Sequence, residues 1–156
     1  MDKEQFYKMF LDIIDNVENR YHPLVWINGK PDIGEGTYIG GFSEINAKNA
    51  KVSIGSNCDI ASFVSINVAD SHRHCIGLSE VSKCSDITIE DYVFIGSHSV
   101  ILGGAHIGHH SVIGAGTVVR SGAIPPYSLV LGNPMVVKSG YYRKEISGSG
   151  LWPNRR

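Results

Sequence analysis

The sequence predicts an all-β fold: a parallel β-helix of six-residue repeats, preceded by a short N-terminal helix. Aliphatic residues recur every six positions over residues 89–124, and two shorter runs precede them. The recurring positions are Ile33, Ile39, Ile45, Ile54, Ile60, Ile66, Ile89, Ile95, Ile101, Ile107, Ile113 and Val119. A period of six fits neither an amphipathic helix nor an alternating strand. It fits short strands joined by turns, whose aliphatic side chains stack in columns along one axis.

A second, mostly small residue stands four places after each aliphatic one in the long run. These residues are Val93, Ser99, Ala105, Ser111, Thr117 and Ala123. We therefore predict two inward-facing positions in every six, with the smaller residue allowing each turn to close. The 18 glycines are scattered singly, which suits the corners of a coil. A β-sandwich, the alternative, has irregular strand spacing.

Breaks in the repeat define the predicted organisation of the chain. Residues 1–22 are predicted to be a helix that caps the solenoid, because one face carries Phe6, Met9 and Phe10. Residues 23–138 form the β-helix, with an excursion loop near 68–86, where the period breaks most sharply. We expect the Pro125–Pro126 pair to stop the repeat. Residues 139–156 are assigned to a C-terminal tail.

Composition excludes several classes of partner. The 14 Lys and Arg against 15 Asp and Glu give a formal charge of -1, which favours neither nucleic acid nor an anionic membrane. Asp12, Asp15 and Glu18 interrupt the N-terminal apolar residues, so we expect no secretory signal and no membrane span. Three cysteines without paired spacing indicate a reducing compartment, and we expect a cytoplasmic protein.

The excursion contains the sequence DSHRH, residues 70–74. Loops that leave a rigid scaffold often carry function. Histidine is the side chain suited to remove a proton near neutral pH, so His72 and His74 are candidate general bases. The spacing alone is equally compatible with two exposed surface histidines in a loop.

Residues 87–134 resemble the hexapeptide-repeat acyltransferases, the family of galactoside, maltose, xenobiotic, serine and sugar acetyltransferases. The resemblance rests on the run ITIEDYVFIGSHSVILGGAHIGHHSVIGAGTVVRSGAIPPYSLVLGNP. It implies a left-handed β-helix and a homotrimer with active sites at the subunit interfaces. It also implies acetyl-CoA as acyl donor and a sugar or nucleotide-sugar acceptor, in bacterial surface-polysaccharide biosynthesis. Serine acetyltransferases carry a large helical N-terminal domain that we do not expect here.

The resemblance also implies roles for residues of the acceptor site. The family's catalytic histidine follows a stretch matched here by residues 54–61, which identifies His72 as the base and His74 as the alternative or a substrate contact. Asp70 is the candidate that orients His72. Asn46 matches an asparagine that contacts the acceptor sugar in the family.

The coenzyme site is inferred in the same way. Phe94 takes the place of an aromatic residue that flanks the pantetheine, and the backbone N–H of Ser97 is expected to hold the developing oxyanion. Four small residues would let the pantetheine approach the backbone, although turn geometry alone would also explain them. They are Gly103, Gly104, Ala115 and Gly116. Val136 stands where relatives carry a basic residue, which leaves Lys138 or Arg120 for the coenzyme's phosphates.

Two other functions are compatible with the fold. A zinc-dependent carbonic-anhydrase-like hydratase needs three histidine ligands, two of them in a His-x4-His pair. Counting from His98, the partner position is Gly103, so we expect no metal. The outward positions of His106, His109 and His110 indicate turn or interface residues. A non-catalytic scaffold would bind no acyl-CoA and tolerate replacement of His72.

Overall fold

The computed structural model describes residues 1–14, 21 and 24–150 and contains a left-handed β-helix of about five coils. Sheet 1 contains β1 (Trp26–Gly29), β4 (Glu44–Ala47), β7 (Ser65–Asn67), β12 (Val100–Leu102) and β15 (Val118–Val119). Sheet 2 contains β2 (Asp32–Ile33), β5 (Val52–Ile54), β10 (Ile87–Ile89), β13 (Ala105–Ile107) and β16 (Gly122–Ile124). Sheet 3 contains β3 (Tyr38–Ile39), β6 (Asp59–Ile60), β11 (Phe94–Ile95), β14 (Val112–Ile113), β17 (Leu129–Leu131) and β18 (Val136–Lys138).

The remaining elements lie outside these three sheets. They are α1 (Lys3–Ile14), the antiparallel pair β8 (Ala69–Asp70) and β9 (Lys83–Cys84), α2 (His72–Cys75) and α3 (Arg143–Gly148). Within the described residues, none of the helices combines the length and the apolar character that a membrane crossing requires.

The predicted columns of aliphatic residues form the core. Sheet 1 stacks Ile27, Ile45, Ile66, Ile101 and Val119 in parallel register; sheet 2 stacks Ile33, Ile54, Ile89, Ile107 and Ile124; sheet 3 stacks Ile39, Ile60, Ile95, Ile113 and Val130. Apart from Ile27 and Ile33 at the first coil, all of these side chains are buried. Full burial of one such side chain contributes about 1.5–3 kcal/mol, so the repeated column is the main source of stability.

All breaks in the six-residue period fall at one edge of the three-sided prism. We call the corners edge 1–2, edge 2–3 and edge 3–1 after the sheets that they join. From sheet 1 to sheet 2 the step is 9 residues between Ile45 and Ile54 and 23 between Ile66 and Ile89. It is 5 residues between Val119 and Ile124. The other two edges keep steps of six, so edge 1–2 is where the chain departs from the scaffold.

The predicted second inward position is confirmed for five of the six residues in the long run and is wrong for Ala123. Val93, Ser99, Ala105, Ser111 and Thr117 are buried, as predicted. Ala123 is exposed, because the five-residue step brings Ile124 into the column one residue early.

The expected end of the repeat at Pro125–Pro126 is also wrong. Val130 is fully buried and extends the sheet 3 column by one coil. The repeat continues because both prolines lie in a corner, between β16 and β17, where no strand hydrogen bond is required of them. The antiparallel strand β18 then pairs with β17 and ends the sheet.

Buried hydroxyl groups tie consecutive coils together at the corners. The Thr37 hydroxyl donates to the Gly55 carbonyl (2.7 Å) and accepts the Cys58 N–H (3.0 Å). Ser43 makes the equivalent pair of bonds one corner later, to the Ala61 carbonyl and from the Val64 N–H. A small hydroxyl residue at the second inward position therefore pairs backbone groups that the turns would leave unsatisfied.

The described part of α1 leaves its apolar face open in the single chain. Phe6 and Met9 are 51% and 43% exposed. The rest of the helix predicted over residues 1–22 lies largely outside the described residues, and its capping role stays a prediction. The tail forms α3, whose Arg143 guanidinium lies over the Tyr127 ring at 5.4 Å from the centroid.

Candidate active site

The longest departure at edge 1–2 is a hairpin with a short helix at its tip. β8 and β9 pair antiparallel, Ala69 with Cys84 and Asp70 with Lys83. Hydrogen bonds fix its base to the coil: the Ser85 N–H donates to the Val68 carbonyl (3.0 Å), and the Ala69 N–H donates to Asn67 Oδ1 (2.9 Å). The residues that follow Asp70 are therefore held at a defined position beside the prism.

Asp70 and His72 form a hydrogen-bonded pair at the start of the tip. His72 Nδ1 lies against Asp70 Oδ1, and the His72 backbone N–H donates to the same oxygen (3.2 Å). The hydrogen bond from the His72 side chain, followed by that from its backbone, lowers the pKa of Asp70 below its ordinary range. An ionised Asp70 favours a proton on Nδ1, which leaves the Nε2 lone pair of His72 available as a base.

This pair opens into a cleft of about 500 Å³ along edge 1–2. The cleft reaches from the excursion to the last coil. Its lining residues are Val68, Ala69, Asp70, His72, Lys83, Ser85, Leu102, Gly103, Arg120 and Ser121. The charged lining side chains are two cations, Lys83 and Arg120, and one carboxylate, Asp70, which already binds His72.

His74 and Asn46 lie outside this lining. His74 Nδ1 contacts the Ser79 carbonyl (3.1 Å), which fixes it within the tip of the excursion. Asn46 lies on β4 of sheet 1, where it pairs in register with Asn67 of β7. Its Nδ2 donates to Asn67 Oδ1 (3.1 Å). The structure therefore groups Asp70 and His72 and separates them from His74.

A second cluster of histidines lies at edge 2–3. Glu90 accepts hydrogen bonds from His106 Nε2 (2.7 Å) and from the His109 N–H (2.9 Å). His109 Nδ1 and His110 Nδ1 are 2.8 Å apart. Across the described ranges, no three His, Cys, Asp or Glu side chains converge in a way that would hold a metal ion.

Comparisons with known proteins agree with this architecture. The family model described as bacterial transferase hexapeptide (six repeats) matches residues 86–121. A hexapeptide-repeat acetyltransferase of Vibrio cholerae O1 biovar eltor, solved with acetyl coenzyme A, is 26% identical, with a TM-score of 0.67 over 89% of this chain and 78% of its own. The polySia-specific acetyltransferase NeuO is 30% identical, with a TM-score of 0.61 over 74% of this chain and 61% of its own.

The chain carries the bacterial transferase hexapeptide repeat and resembles hexapeptide-repeat acetyltransferases in sequence and fold. A curated relative, the 2,3,4,5-tetrahydropyridine-2,6-dicarboxylate N-succinyltransferase of Xylella fastidiosa, is 29% identical over 122 residues, which are 69% of this chain. The chain spans only 40% of the length of that relative. The match therefore covers less than half of the longer protein.

The predicted coenzyme residues of this protein lie at two different edges. Gly103 and Arg120 line the cleft at edge 1–2, and Gly104 follows Gly103 there. Ser97, Ala115 and Gly116 occupy edge 3–1, between β11 and β12 and between β14 and β15, and Phe94 is 40% exposed on sheet 3 beside that edge. Lys138 lies on β18, with its ammonium 5.9 Å from the Tyr141 ring centroid.

Two of the predicted small residues are also required by packing between coils. A Cβ at Gly103 would lie 2.7 Å from the Val68 carbonyl oxygen, and one at Gly104 would collide with the Ser121 side chain. At Gly116 a Cβ would meet nothing within 4 Å, but the residue has φ +69°. The other coils place Phe42, Phe63 and His98 in this left-handed corner position.

Those three aromatic residues form a stacked column along edge 3–1. The ring centroids of Phe42 and Phe63 are 5.0 Å apart and those of Phe63 and His98 are 4.8 Å apart, and the planes of each pair are nearly parallel. Gly116 continues the series without a side chain, which leaves the backbone of this corner accessible above His98. The Ser97 N–H makes no hydrogen bond to another described residue.

Lys83 is the charged lining residue that sequence reasoning missed. It stands 13 positions after Asp70, and only the antiparallel pairing of β8 with β9 brings the two together. The six-residue pattern is absent from the excursion, so it gives no register for this hairpin. The single available signal was the position of Lys83 inside the interval that already contained His72.

Proposed function

We propose that this protein is an acetyl-CoA-dependent acetyltransferase that modifies a hydroxyl or amino group of a sugar or nucleotide-sugar. The observation that carries the proposal is the Asp70–His72 pair directed into the cleft at edge 1–2. The relatives support it, because they include acetyltransferases and one of them was solved with acetyl coenzyme A.

The chemistry assigned to His72 is general-base catalysis. Its Nε2 removes the proton of the acceptor's hydroxyl or amino group as that atom attacks the thioester carbonyl carbon. The carbon–sulfur bond then breaks, the acetyl group stays on the acceptor, and the coenzyme thiolate takes the proton. Asp70 holds the imidazole in the required tautomer and stabilises its positive charge during the transfer.

The residues at edge 3–1 fit the coenzyme. Acetyl-CoA supplies an activated thioester, and Ser97, whose N–H is not used by another described residue, is suited to stabilise the oxyanion on its carbonyl. The bare corner at Gly116 gives the pantetheine access to the backbone. Arg120 and Lys138 remain our candidates for the phosphates.

A homotrimer would bring the two edges together. The base lies at edge 1–2, whereas Ser97 and Gly116 lie at edge 3–1 of the same prism, so a complete site needs edge 1–2 of one copy beside edge 3–1 of another. Exposed aromatic side chains near edge 3–1 support such an interface: Tyr38, Phe42, Phe63 and Phe94 are 40% to 60% exposed in the single chain. Threefold symmetry would give three equivalent sites.

The biological setting that we propose is bacterial surface-polysaccharide biosynthesis, as in lipopolysaccharide O-antigen or capsule, in the cytoplasm. Solved neighbours include the polySia-specific acetyltransferase NeuO and a polysialic acid O-acetyltransferase, OatWY. The cytoplasmic assignment rests on the need for acetyl-CoA and on unpaired cysteines at positions 58, 75 and 84.

A thiol-release assay with acetyl-CoA tests this function against a panel of nucleotide sugars and simple glycosides. We expect turnover that is lost in His72→Ala and retained in His74→Ala, the matched control from the same tip. A weak effect of His72→Ala would indicate an amine acceptor, which needs less help from a base. Absence of both turnover and acetyl-CoA binding would reject the enzyme and favour a scaffold.

A further inference from the structure

The structure assigns an acidic acceptor to this cleft: a sugar that carries a carboxylate or a phosphate, bound through Lys83. This inference rests on the proposed function and narrows its acceptor. It follows from the distribution of charge around His72 and from the part of the chain that contributes each charged side chain.

The cleft carries a charge opposite in sign to the whole chain. Lys83 and Arg120 are its cationic lining residues, and Asp70 is its carboxylate. The protein as a whole has a formal charge of -1. In the described part of the chain, neither cation lies within 4.0 Å of a carboxylate oxygen. Their charge is therefore not neutralised by a direct ion pair there, and it attracts an anion into the cleft.

Asp70 binds His72 and forms no ion pair with Lys83 in the described part of the chain. The two residues are cross-strand neighbours, yet the hydrogen bonds that Asp70 Oδ1 accepts come from His72 Nδ1 and the His72 N–H. Lys83 lowers the pKa of Asp70 only weakly, behind the hydrogen bonds from His72. Lys83 thus lines the same cleft as the base, and its ammonium forms no ion pair with a described carboxylate, which leaves it available to a ligand.

The position of Lys83 also separates acceptor from coenzyme. It belongs to the same hairpin as the base, whereas Arg120 follows β15 on the last coil. The base must touch the acceptor's reacting group, so a neighbour on the same hairpin contacts the acceptor too. Arg120 comes from a different coil and remains the candidate for the coenzyme's phosphates.

The test compares three galactosides that differ in the group on carbon 5, which is a hydroxymethyl group, a carboxylate or a phosphorylated hydroxymethyl group. Hydroxyls 2, 3 and 4 are available for acetylation in all three. The full-length protein is assayed with methyl β-galactoside, methyl β-galacturonide and methyl β-galactoside 6-phosphate, each with acetyl-CoA. We expect kcat/KM to be at least about tenfold higher for one of the acidic acceptors, since a charge-assisted hydrogen bond is worth about that factor. The galacturonide and the phosphate distinguish a carboxylate from a phosphate as the recognised group.

Lys83→Gln should remove that preference, reducing the ratio of acidic to neutral kcat/KM by about tenfold. Lys30→Gln is the control, because Lys30 lies between β1 and β2 at the same edge in the first coil, away from the cleft. Equal loss for acidic and neutral acceptors in Lys83→Gln would mean that Lys83 acts through Asp70, and would overturn the inference. So would a ratio that responds to Arg120→Gln and not to Lys83→Gln.

A binding measurement separates this inference from the proposed function. Dissociation constants for the same three glycosides are measured by ligand-observed NMR in the presence of coenzyme A. Tighter binding of an acidic glycoside that depends on Lys83 supports an anion site even if no acetyl transfer occurs. Acetyl transfer with no preference for an acidic acceptor in either assay leaves the enzyme intact and overturns the anion site. Failure to bind any of the three overturns it as well.

Discussion

Two carboxylate–histidine pairs in this protein have similar chemistry and different surroundings. Asp70 and His72 lie on the excursion at edge 1–2, where their side chains are 56% and 65% exposed. Glu90 and His106 lie at the outer surface of the regular coils, and their side chains are 35% and 52% exposed. Both pairs join a carboxylate oxygen to a ring nitrogen, so neither hydrogen bonding nor exposure distinguishes a catalytic pair from a structural one.

The difference lies in what else each carboxylate binds. Glu90 also accepts the N–H of His109, one coil away, so it ties two coils together. Asp70 binds only within its own hairpin and faces a cleft with two cations. A carboxylate–histidine pair in the regular coils therefore holds neighbouring coils together, whereas a pair in an insertion is available to bind a ligand.

The largest expected effect is on turnover after removal of each histidine. His72→Ala should lower kcat for a hydroxyl acceptor by about 10²–10⁴-fold, the usual contribution of a general base. His106→Ala should leave kcat near the wild-type value. Steady-state thiol release measures both, and a loss of similar size in His106→Ala would remove the distinction between the pairs.

A smaller effect is expected when the carboxylates are replaced by amides of equal size. Asp70→Asn should reduce kcat by about 10–100-fold, because an amide neither fixes the tautomer of His72 nor stabilises its positive charge. Glu90→Gln is the matched control and should leave kcat unaffected. If Asp70→Asn is as active as the wild type, Asp70 does not position the base.

The smallest effect concerns stability and its dependence on pH. Burial raises the pKa of Glu90, but hydrogen bonds from His106 and from the His109 N–H outweigh it and hold the pKa below its ordinary value of 4.5. A lowered pKa stabilises the fold above that ordinary value, and the contribution is lost as the pH falls through the pKa of the folded protein. Because the pair is partly exposed, we expect Glu90→Gln to cost less than about 1 kcal/mol at pH 7.

Thermal unfolding of both proteins between pH 7 and pH 3 measures this contribution. The difference in Tm should be at most about 4 °C at pH 7 and should vanish at the acidic end. A difference that persists at pH 3 would show that the glutamine variant disturbs packing rather than charge.

The fold followed from the sequence because the six-residue period is local. Each strand is too short to bury a face alone, so a strict period can be satisfied only by stacking coils in register, and the columns of isoleucine appear as expected. The expectation failed at Ala123 and at Pro125–Pro126, where a one-residue deletion shifts the register and a corner accommodates two prolines. The six-residue period by itself predicts neither the shift in register nor the coil that follows the two prolines.

The candidate site was less accessible from the sequence. His72 and Asp70 stood in the interval where the period broke, and the structure brings them together. Lys83 depends on a strand pairing that has no repeat to set its register. The predicted coenzyme residues lie at two edges: Ser97 and Gly116 at edge 3–1, and Gly103 and Arg120 at edge 1–2. Assigning each residue to its edge requires the register of the coils on both sides of the insertions.

The sequence by itself determined the β-helix, its two inward positions and the interval that holds the chemistry, because these features depend on neighbours a few residues apart. The tertiary structure alone decided that every departure from the period falls on edge 1–2. It also decided that Lys83 and Arg120 join His72 in one cleft. Both facts depend on which coils are neighbours in the β-helix. The insertions differ in length, so the order of the coils cannot be read from the six-residue spacing and appears only in the folded structure.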